Sequence, residues 1–163
     1  MFRPMRRQKQ ILPEEETRTI LETATSGVLA LIGDDGYPYA LPLSYVCDGD
    51  KLYFHSALEG HKIDAVRSAD KASFCVVAQD KIVPEEFTTY FKSVIAFGRV
   101  RLMENGEEKI AALRKLAERY SPDQMAAGER EIETSIAHTA MIEFTIEHLT
   151  GKEAIELAKR RHN

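Results

Sequence analysis

The chain has 163 residues, of which 44% are hydrophobic and 29% are charged, which is typical of one folded domain of ordinary size. Its net charge of −4 gives no electrostatic reason to expect a nucleic-acid partner. Two cysteines without a CxxC spacing argue against a disulfide framework and a structural zinc site. No apolar run has membrane-spanning length and no signal-peptide pattern occurs, so we expect a cytoplasmic protein with free thiols and no membrane partner.

The first part of the chain predicts an arm followed by a helix. Residues 1–12 are locally basic and show no helical pattern, so we expect an N-terminal arm. Pro13 precedes three glutamates, which is typical of a first helical turn because the acids lie at the positive end of the helix dipole. Ile20, Leu21 and Ala24 would form the apolar face of this helix.

The next segments predict an antiparallel meander. Residues 27–32 form a short apolar run that is typical of a buried strand. A turn sequence at 33–36 leads to a strand at 37–46. A second turn, at 47–50, leads to a strand at 51–56. Tight turns of this kind join antiparallel neighbours, so a parallel α/β sheet is not expected.

The strand at 37–46 is unusual because it contains two prolines. Pro38 and Pro42 lie four residues apart, so both lack an N–H group on the same edge of the strand. We therefore expect that edge to be unpaired with another strand, and either exposed or facing a ligand. The nearby Tyr39 and Ser44 suit a flat ligand and an ordinary strand equally well.

Chemically active side chains are most concentrated at the strand-to-helix connection of residues 53–62. Ser56, Gly60, His61 and Lys62 lie at the start of a predicted short helix. A helix N-terminus exposes unpaired N–H groups at the positive end of its dipole, which favours an anion. We predict a phosphate-binding site here, with a solvated connection as the alternative, because no Walker-type or dinucleotide glycine pattern is present.

The second half of the chain predicts further strands and helices. Strands are expected at 72–78, 89–102 and 140–146, and helices at 107–120 and around Ile132 and Ile136. The strand at 89–102 exceeds the usual five or six residues, which indicates bending around a barrel or reaching toward a partner subunit. The total is about six mostly antiparallel strands, which predicts a mainly β (α+β) fold containing a small β-barrel. Residues 13–152 would form this domain and residues 153–163 a C-terminal tail.

The sequence gives little support for a metal site or for a hydrolase active site. His55 and His61 are six residues apart, which matches no common metal-ligand spacing. A hydrolase needs a nucleophile with a base, but the sequence has no GxSxG elbow. Cys47 and Cys75 lie in strand or turn contexts rather than in a catalytic motif.

Three separated motifs resemble the nitroimidazole-resistance branch of the pyridoxamine 5′-phosphate oxidase-like family. They are GYPYALP at 36–42, YFHSA at 53–57 with GHKID at 60–64, and VPEEFTTY at 83–90. The likeness covers about residues 5–152. It implies a six-stranded antiparallel split β-barrel of the FMN-binding type. It also implies a homodimer with FMN in the clefts between the subunits.

The resemblance also assigns the residues that hold the cofactor and those that could donate a proton. Cofactor contacts fall on Leu41, Pro42, Leu43, Ser44 and Ser93, and phosphate contacts on His55, Ser56, His61 and Lys62. The candidate proton donors are His61 and Tyr90.

The second strand differs from that of some family members, and this difference restricts the reaction that the resemblance implies. Oxidases of pyridoxamine phosphate carry basic residues in the second strand, where this chain has Leu41 and Val46, so that vitamin oxidase activity is not expected. The resemblance implies instead that reduced FMN passes electrons to a nitro-aromatic compound of the 5-nitroimidazole kind, with NADH or NADPH as the candidate donor. The alternatives are a non-catalytic flavin- or haem-binding module and a purely structural domain.

Overall fold

A computed structural model describes residues 1–161, so the last two residues of the predicted tail, His162 and Asn163, lie outside the described residues. The strands are β1 (Ser26–Ile32), β2 (Pro38–Ser44), β3 (Val46–Asp48), β4 (Lys51–Ser56), β5 (Lys71–Val83), β6 (Thr88–Leu102) and β7 (Ala140–Glu153). The α-helices are α1 (Glu14–Thr23), α2 (His61–Ser68), α3 (Gly106–Tyr120), α4 (Met125–Ser135) and α5 (Ile155–Arg161).

The strands form one seven-stranded sheet in the order β2-β1-β5-β6-β7-β4-β3, and all its neighbours are antiparallel. The two outer strands, β2 and β3, follow each other in the chain with only Tyr45 between them. Because consecutive Cα atoms are about 3.8 Å apart, the two edges of the sheet must meet at Tyr45. The sheet is therefore rolled up and joined at this corner, without closing along the full length of its edges.

The predicted number of six strands is wrong by one, because the predicted strand 37–46 is divided at Tyr45. The Tyr45 side chain is buried, and its hydroxyl donates a hydrogen bond to the carbonyl oxygen of Leu21. Its ring also meets the ring of Phe74 edge-on, with 4.7 Å between the centroids. These core contacts turn the chain from one sheet edge to the other, which strand periodicity does not indicate.

The expectation of an unpaired edge at the two prolines is confirmed. β2 is an outer strand of the sheet and pairs only with β1, with Pro38 opposite Ile32 and Pro42 opposite Val28.

Two strands extend well past their predicted ends, and β-bulges explain both differences. β5 continues to Val83 instead of ending at Ala78. Ala78 is the extra residue of a bulge, because the pairing register with β6 shifts between Val77 and Gln79. β7 continues to Glu153, and its pairing with β6 shifts where Glu147 is the extra residue. A bulge moves the following side chains to the opposite face, so the alternating pattern stops although the strand continues.

The main hydrophobic core lies inside the rolled sheet. Phe54, Phe74 and Phe144 are fully buried there, and Ile63 of α2 packs among them. A second cluster lies outside the sheet, where Tyr53 and other residues of β3, β4 and β7 pack against α3. The helices therefore cover β3, β4 and β7 and leave the outer surface of β1, β2, β5 and β6 without a helical layer.

The two ends of the described chain lie together. Gln10 and Leu12 are buried, and the Gln10 side chain donates to the carbonyl oxygen of Glu153 at 2.9 Å. The backbone N–H of Leu12 donates to the carbonyl oxygen of Gly151 at 3.1 Å. Arg161 donates to the carbonyl oxygen of Ile11 at 3.2 Å. The segment before α1 is thus held against β7 and α5.

Candidate cofactor site

The start of α2 is a helix N-terminus without a capping side chain. Gly60 precedes it with φ 118° and ψ 170°, a backbone conformation that residues with a Cβ rarely adopt. Its carbonyl oxygen accepts the N–H groups of Ile63 and Asp64 at 2.9 and 3.1 Å. The preceding N–H groups, those of His61 and Lys62, have no partner within the helix. This arrangement is suited to an anion.

Lys62 adds an ammonium group that lacks electrostatic compensation. The residue is half-buried, and loss of hydration lowers the pKa of its side chain below the ordinary value. Among residues 1–161, no carboxylate lies within 4.0 Å of its Nζ atom. A charge that has lost water without gaining a partner is unfavourable, and a bound anion would relieve that cost. The residues at this position therefore fit a phosphate group.

His61 connects α2 to the free edge of the sheet. Its imidazole stacks on the ring of Tyr39 in β2, with 4.0 Å between centroids and 16° between planes. Its Nε2 atom lies 3.8 Å from a carboxylate oxygen of Asp34. A Cβ on Gly33 would lie 3.0 Å from the same Nε2, so glycine permits this close approach. The sequence identified Gly33 and Asp34 only as turn residues and gave no sign of this contact.

The predicted second-strand contacts divide between the two faces of β2. Leu41 and Leu43 are half-buried and pack against the main core. Pro42 and Ser44 are exposed on the opposite face. The structure thus places these four residues on the edge strand that His61 contacts through Tyr39, but not on one side of it.

His55 and Ser56 are adjacent in β4, so their side chains point to opposite faces of the sheet. His55 is exposed and Ser56 is half-buried. Ser93 lies on β6, where it is half-buried and opposite Val77. The fold brings α2 and β2 together through the His61–Tyr39 stack, whereas β1 and β5 separate β2 from the strand that carries Ser93.

Tyr90, the other candidate proton donor, is engaged in a different cluster. Its hydroxyl donates to Glu86 at 2.6 Å and accepts a hydrogen bond from Arg160 at 2.9 Å. The hydrogen bond to Glu86 raises the pKa of the Tyr90 hydroxyl. These contacts tie the end of the β5–β6 hairpin to α5, which is a structural task. His61 is the better candidate near the phosphate-binding residues.

The outer side of β1, β2, β5 and β6 forms a surface that we call the uncharged face. Its residues, given by strand, are Ala40, Pro42 and Ser44; Ser26, Val28 and Ala30; Ser73, Cys75 and Val77; Ser93, Ile95 and Phe97. Val28, Val77, Ile95 and Phe97 expose between 37% and 65% of their surface. None of these twelve residues carries a formal charge, although 29% of the chain is charged.

Neither cysteine has the properties of a nucleophile. Burial raises the pKa of Cys47 to about 11 and also raises the pKa of Cys75. Both thiols are therefore protonated near neutral pH, whereas a reactive cysteine is a thiolate. Within the described part of the chain, no group of three or more His, Cys, Asp or Glu side chains is arranged to hold a metal ion.

Residues 13–153 match the family model for pyridoxamine 5′-phosphate oxidase. The chain belongs to this family. The family prediction drawn from the three motifs is confirmed. An uncharacterised protein of Rhizobium meliloti is 29% identical over 156 residues, covering 89% of this chain and 95% of that protein.

Solved structures of the family share the fold. A candidate 5-nitroimidazole antibiotic resistance protein from Bacteroides thetaiotaomicron superimposes with a TM-score of 0.77 at 23% identity, over 88% of this chain and 86% of its own. The FAD and haem binding protein of Mycobacterium smegmatis gives 0.76 at 23% identity, over 90% and 74%. This chain therefore has the split-barrel architecture of its relatives, with a seven-stranded sheet that is not fully closed. None of its described helices is long and apolar enough to cross a membrane.

Proposed function

We propose that this protein is an FMN-binding oxidoreductase that works as a homodimer and reduces nitro-aromatic compounds of the 5-nitroimidazole kind. The observation that carries the proposal is the uncompensated Lys62 ammonium at the uncapped start of α2. Lys62 follows His61, which reaches the free edge of β2 by stacking on Tyr39, and the planar ring of the cofactor would lie along this edge.

The phosphate would be held by the Lys62 ammonium, the backbone N–H groups of His61 and Lys62, and the hydroxyl of Ser56. A charge-assisted bond from Lys62 should contribute the most, because such bonds are about twice as strong as neutral ones. One lysine and one helix N-terminus suit a single phosphate group, which favours FMN over FAD. Leu41–Ser44, His55 and Ser93 remain the predicted contacts to the rest of the cofactor.

When bound, a reduced flavin supplies the electrons for the nitro group, with NADH or NADPH as their source. The protein's own residues bind the cofactor, orient it and exclude water. His61 is the proposed proton donor to the substrate, because its imidazole is exposed and is held between Tyr39 and Asp34. The structural neighbour that binds FAD and haem supports a flavin and leaves a non-catalytic binding module as the alternative.

The homodimer would form through the uncharged face. Strands are about 4.8 Å apart and same-face residues repeat about every 6.8 Å, so four strands by three rows cover roughly 400 Å². A patch of this size is often functional, and this one carries no charge that would oppose a second copy. A second copy of the chain is the proposed partner, since identical uncharged surfaces are mutually compatible across a two-fold axis.

The test is an absorption spectrum of the purified protein before and after adding FMN, followed by desalting, with FAD titrated in parallel. We expect flavin bands that survive desalting, tighter binding of FMN than of FAD, and oxidation of NADH or NADPH when a nitroimidazole is added. A haem band without turnover would instead favour the binding module. A protein that remains colourless in FMN would contradict the proposal.

A further inference from the structure

The β5–β6 hairpin extends beyond the rest of the sheet. β1 pairs with β5 only at residues 73–75, and β7 pairs with β6 only from Lys92 onward. Residues 77–83 and 88–91 therefore form a two-stranded extension, which we call the ribbon. Two-stranded structures are marginally stable alone, so the ribbon needs a surface to pack on. One face has this support, because Thr88 and Tyr90 bond to Glu156 and Arg160 of α5.

The other face of the ribbon carries exposed apolar side chains together with the exposed Asp80, which lies opposite Phe91. Val77 is 65% exposed, Ile82 is 72% exposed and Phe87, at the tip, is 99% exposed. Phe87 also has φ 50°, in the left-handed region that is unfavourable for a bulky side chain. Among residues 1–161 of one chain, none packs on this ring to compensate for the strain or the exposure. Burial of the ring against another molecule would offset the cost of the backbone conformation and of the exposed apolar surface.

The β-bulge in β5 places Ile82 on the same side as the uncharged face. Before the bulge, Cys75 and Val77 share that face with their β6 neighbours Ile95 and Ser93. After the bulge, Ile82 lies opposite Thr89. Thr89 is an even number of residues from Ser93 and Ile95 along β6, so its side chain points to the same face. If β5 paired regularly through Ala78, Ile82 would be the fifth residue after Val77 and would point to the opposite side. The ribbon therefore extends this side of the sheet past the edge of the barrel, with the charged Asp80 between Val77 and Ile82.

The ribbon tip cannot cover the cofactor site of its own chain. α2 leads into Lys71 at the start of β5, and the tip follows Val83 at its end. The 13 residues of β5 span roughly 40 Å, while the 8 residues of α2 span only about 12 Å. Gly33, which lies against His61, follows β1 at the end that pairs with the start of β5. His61 therefore lies near the start of β5 and Phe87 lies beyond its end, about 25 Å or more away. A second chain removes this separation if the β6 strands of the two copies run in opposite directions.

We infer that in the homodimer each ribbon crosses onto the partner and that Phe87, with Ile82, covers the partner's flavin site. The roughly 400 Å² of the uncharged face is about half of the 800 Å² per partner that a stable interface buries, so the ribbon supplies needed additional area. Phe87 then forms an apolar wall that excludes water and favours flat aromatic substrates. This inference rests on the proposed function for the identity of the site.

The first test uses the absence of tryptophan from the sequence. Phe87→Trp introduces a single tryptophan whose emission reports its exposure without any flavin. We expect blue-shifted emission at concentrations where the protein is dimeric and a red shift on dilution to monomers. The control is Lys81→Trp: Lys81 lies opposite Tyr90 on the face that packs on α5 but is itself exposed, so its emission should not change with concentration. Emission from Phe87→Trp that matches this control at every concentration would overturn the inference.

The second test asks whether the cover comes from the partner. Iodide quenching of the bound flavin's fluorescence should increase severalfold in the Phe87→Ala homodimer, with FMN binding retained. The Lys62→Ala homodimer should bind little FMN. In a mixed dimer of the two variants, the flavin is held by the Phe87→Ala chain and covered by Phe87 of the Lys62→Ala chain. Its quenching should therefore return to the wild-type level.

The outcomes separate the two proposals. Quenching in the mixed dimer that equals that of the Phe87→Ala homodimer would contradict cover by the partner. Unchanged quenching in the Phe87→Ala homodimer would show that the ring does not cover the flavin. If the wild-type protein binds no flavin, the proposed function fails, while the tryptophan experiment still decides whether the ribbon docks on a second copy.

Discussion

Glu143 and Lys62 are two charged side chains that have lost part of their hydration, and the protein treats them differently. Glu143 is only 4% exposed, yet it accepts hydrogen bonds from Lys51 and Arg101, each at 2.8 Å. Lys62 is half-buried at the start of α2, and the described residues offer it no carboxylate. The first charge is balanced inside the fold, and the second is not.

The pKa directions express the same contrast. Burial by itself would raise the pKa of Glu143, but the hydrogen bonds from Arg101 and Lys51 outweigh it and lower the pKa. Burial lowers the pKa of Lys62 and no other group opposes it. A compensated charge serves structure, whereas an uncompensated one beside open N–H groups indicates a place for a ligand.

The largest expected effect is on cofactor affinity. Lys62→Met should weaken FMN binding by about 10- to 100-fold, because a hydrogen bond to a charged group contributes about 1.5–3 kcal/mol. Flavin fluorescence titration would measure this change. Lys115→Met is the matched control, since Lys115 is also partly exposed but has Asp48 at 2.9 Å. Equal affinities for the two variants would remove Lys62 from the site.

The second prediction concerns the stability contributed by Glu143. Glu143→Gln should lower the free energy of unfolding by about 2 kcal/mol, because it leaves two cations without their buried partner. The value is below the 3–5 kcal/mol typical of fully buried pairs since Lys51 and Arg101 remain partly exposed. Urea unfolding would measure it, and FMN affinity should stay unchanged. A large loss of affinity would mean that the two regions are not independent.

The third prediction is the pH dependence of that stability. The pKa of Glu143 is lower in the folded protein than its ordinary value of 4.5, so the folded state binds this proton less tightly than the unfolded state. Its contribution is therefore complete above pH 4.5 and is lost as the pH falls through the folded pKa. The stability difference between wild type and Glu143→Gln should shrink as the pH falls below 4.5. A difference that is constant over this range would contradict the assignment.

Much of the fold follows from local sequence patterns, and the misses have specific causes. Apolar runs and turn residues predicted the hairpin of β1 and β2, strand β4 and the long strand β6, and the spacing of Pro38 and Pro42 predicted a free edge. The predicted three-stranded meander is wrong, because β4 pairs with β3 and β7 and does not lie beside β2. The division at Tyr45 was missed because burial of one side chain in the core redirects the chain, which periodicity does not encode. The full lengths of β5 and β7 were missed because bulges at Ala78 and Glu147 interrupt the alternation.

The candidate site was predictable to a smaller extent. Residue types at Gly60–Lys62 predicted an anion site at a helix start, and the structure places an uncapped helix N-terminus there. The contact of His61 with Tyr39 joins residues from different segments, so the local sequence around either residue cannot indicate it. The local sequence around Phe87 predicts only a turn. The exposure of its ring could not be predicted, because it depends on how far the hairpin extends past the sheet.

The smallest expected effect is a change in the stability of the cofactor-free protein. Its sign should be opposite for substitutions at Lys62 and at Glu143, which makes it the most diagnostic. Without cofactor, Lys62→Met should raise the free energy of unfolding by about 0.5–1 kcal/mol, since a half-buried ammonium with no partner is replaced by an apolar side chain of similar length. Thermal or urea unfolding of the cofactor-free protein would measure this gain, and saturating FMN should reverse the order because only the wild type binds it well. Glu143→Gln should be less stable than wild type under both conditions. A loss of stability in cofactor-free Lys62→Met would mean that the fold already compensates this charge, and Lys62 would then resemble Glu143 rather than a residue kept for a ligand.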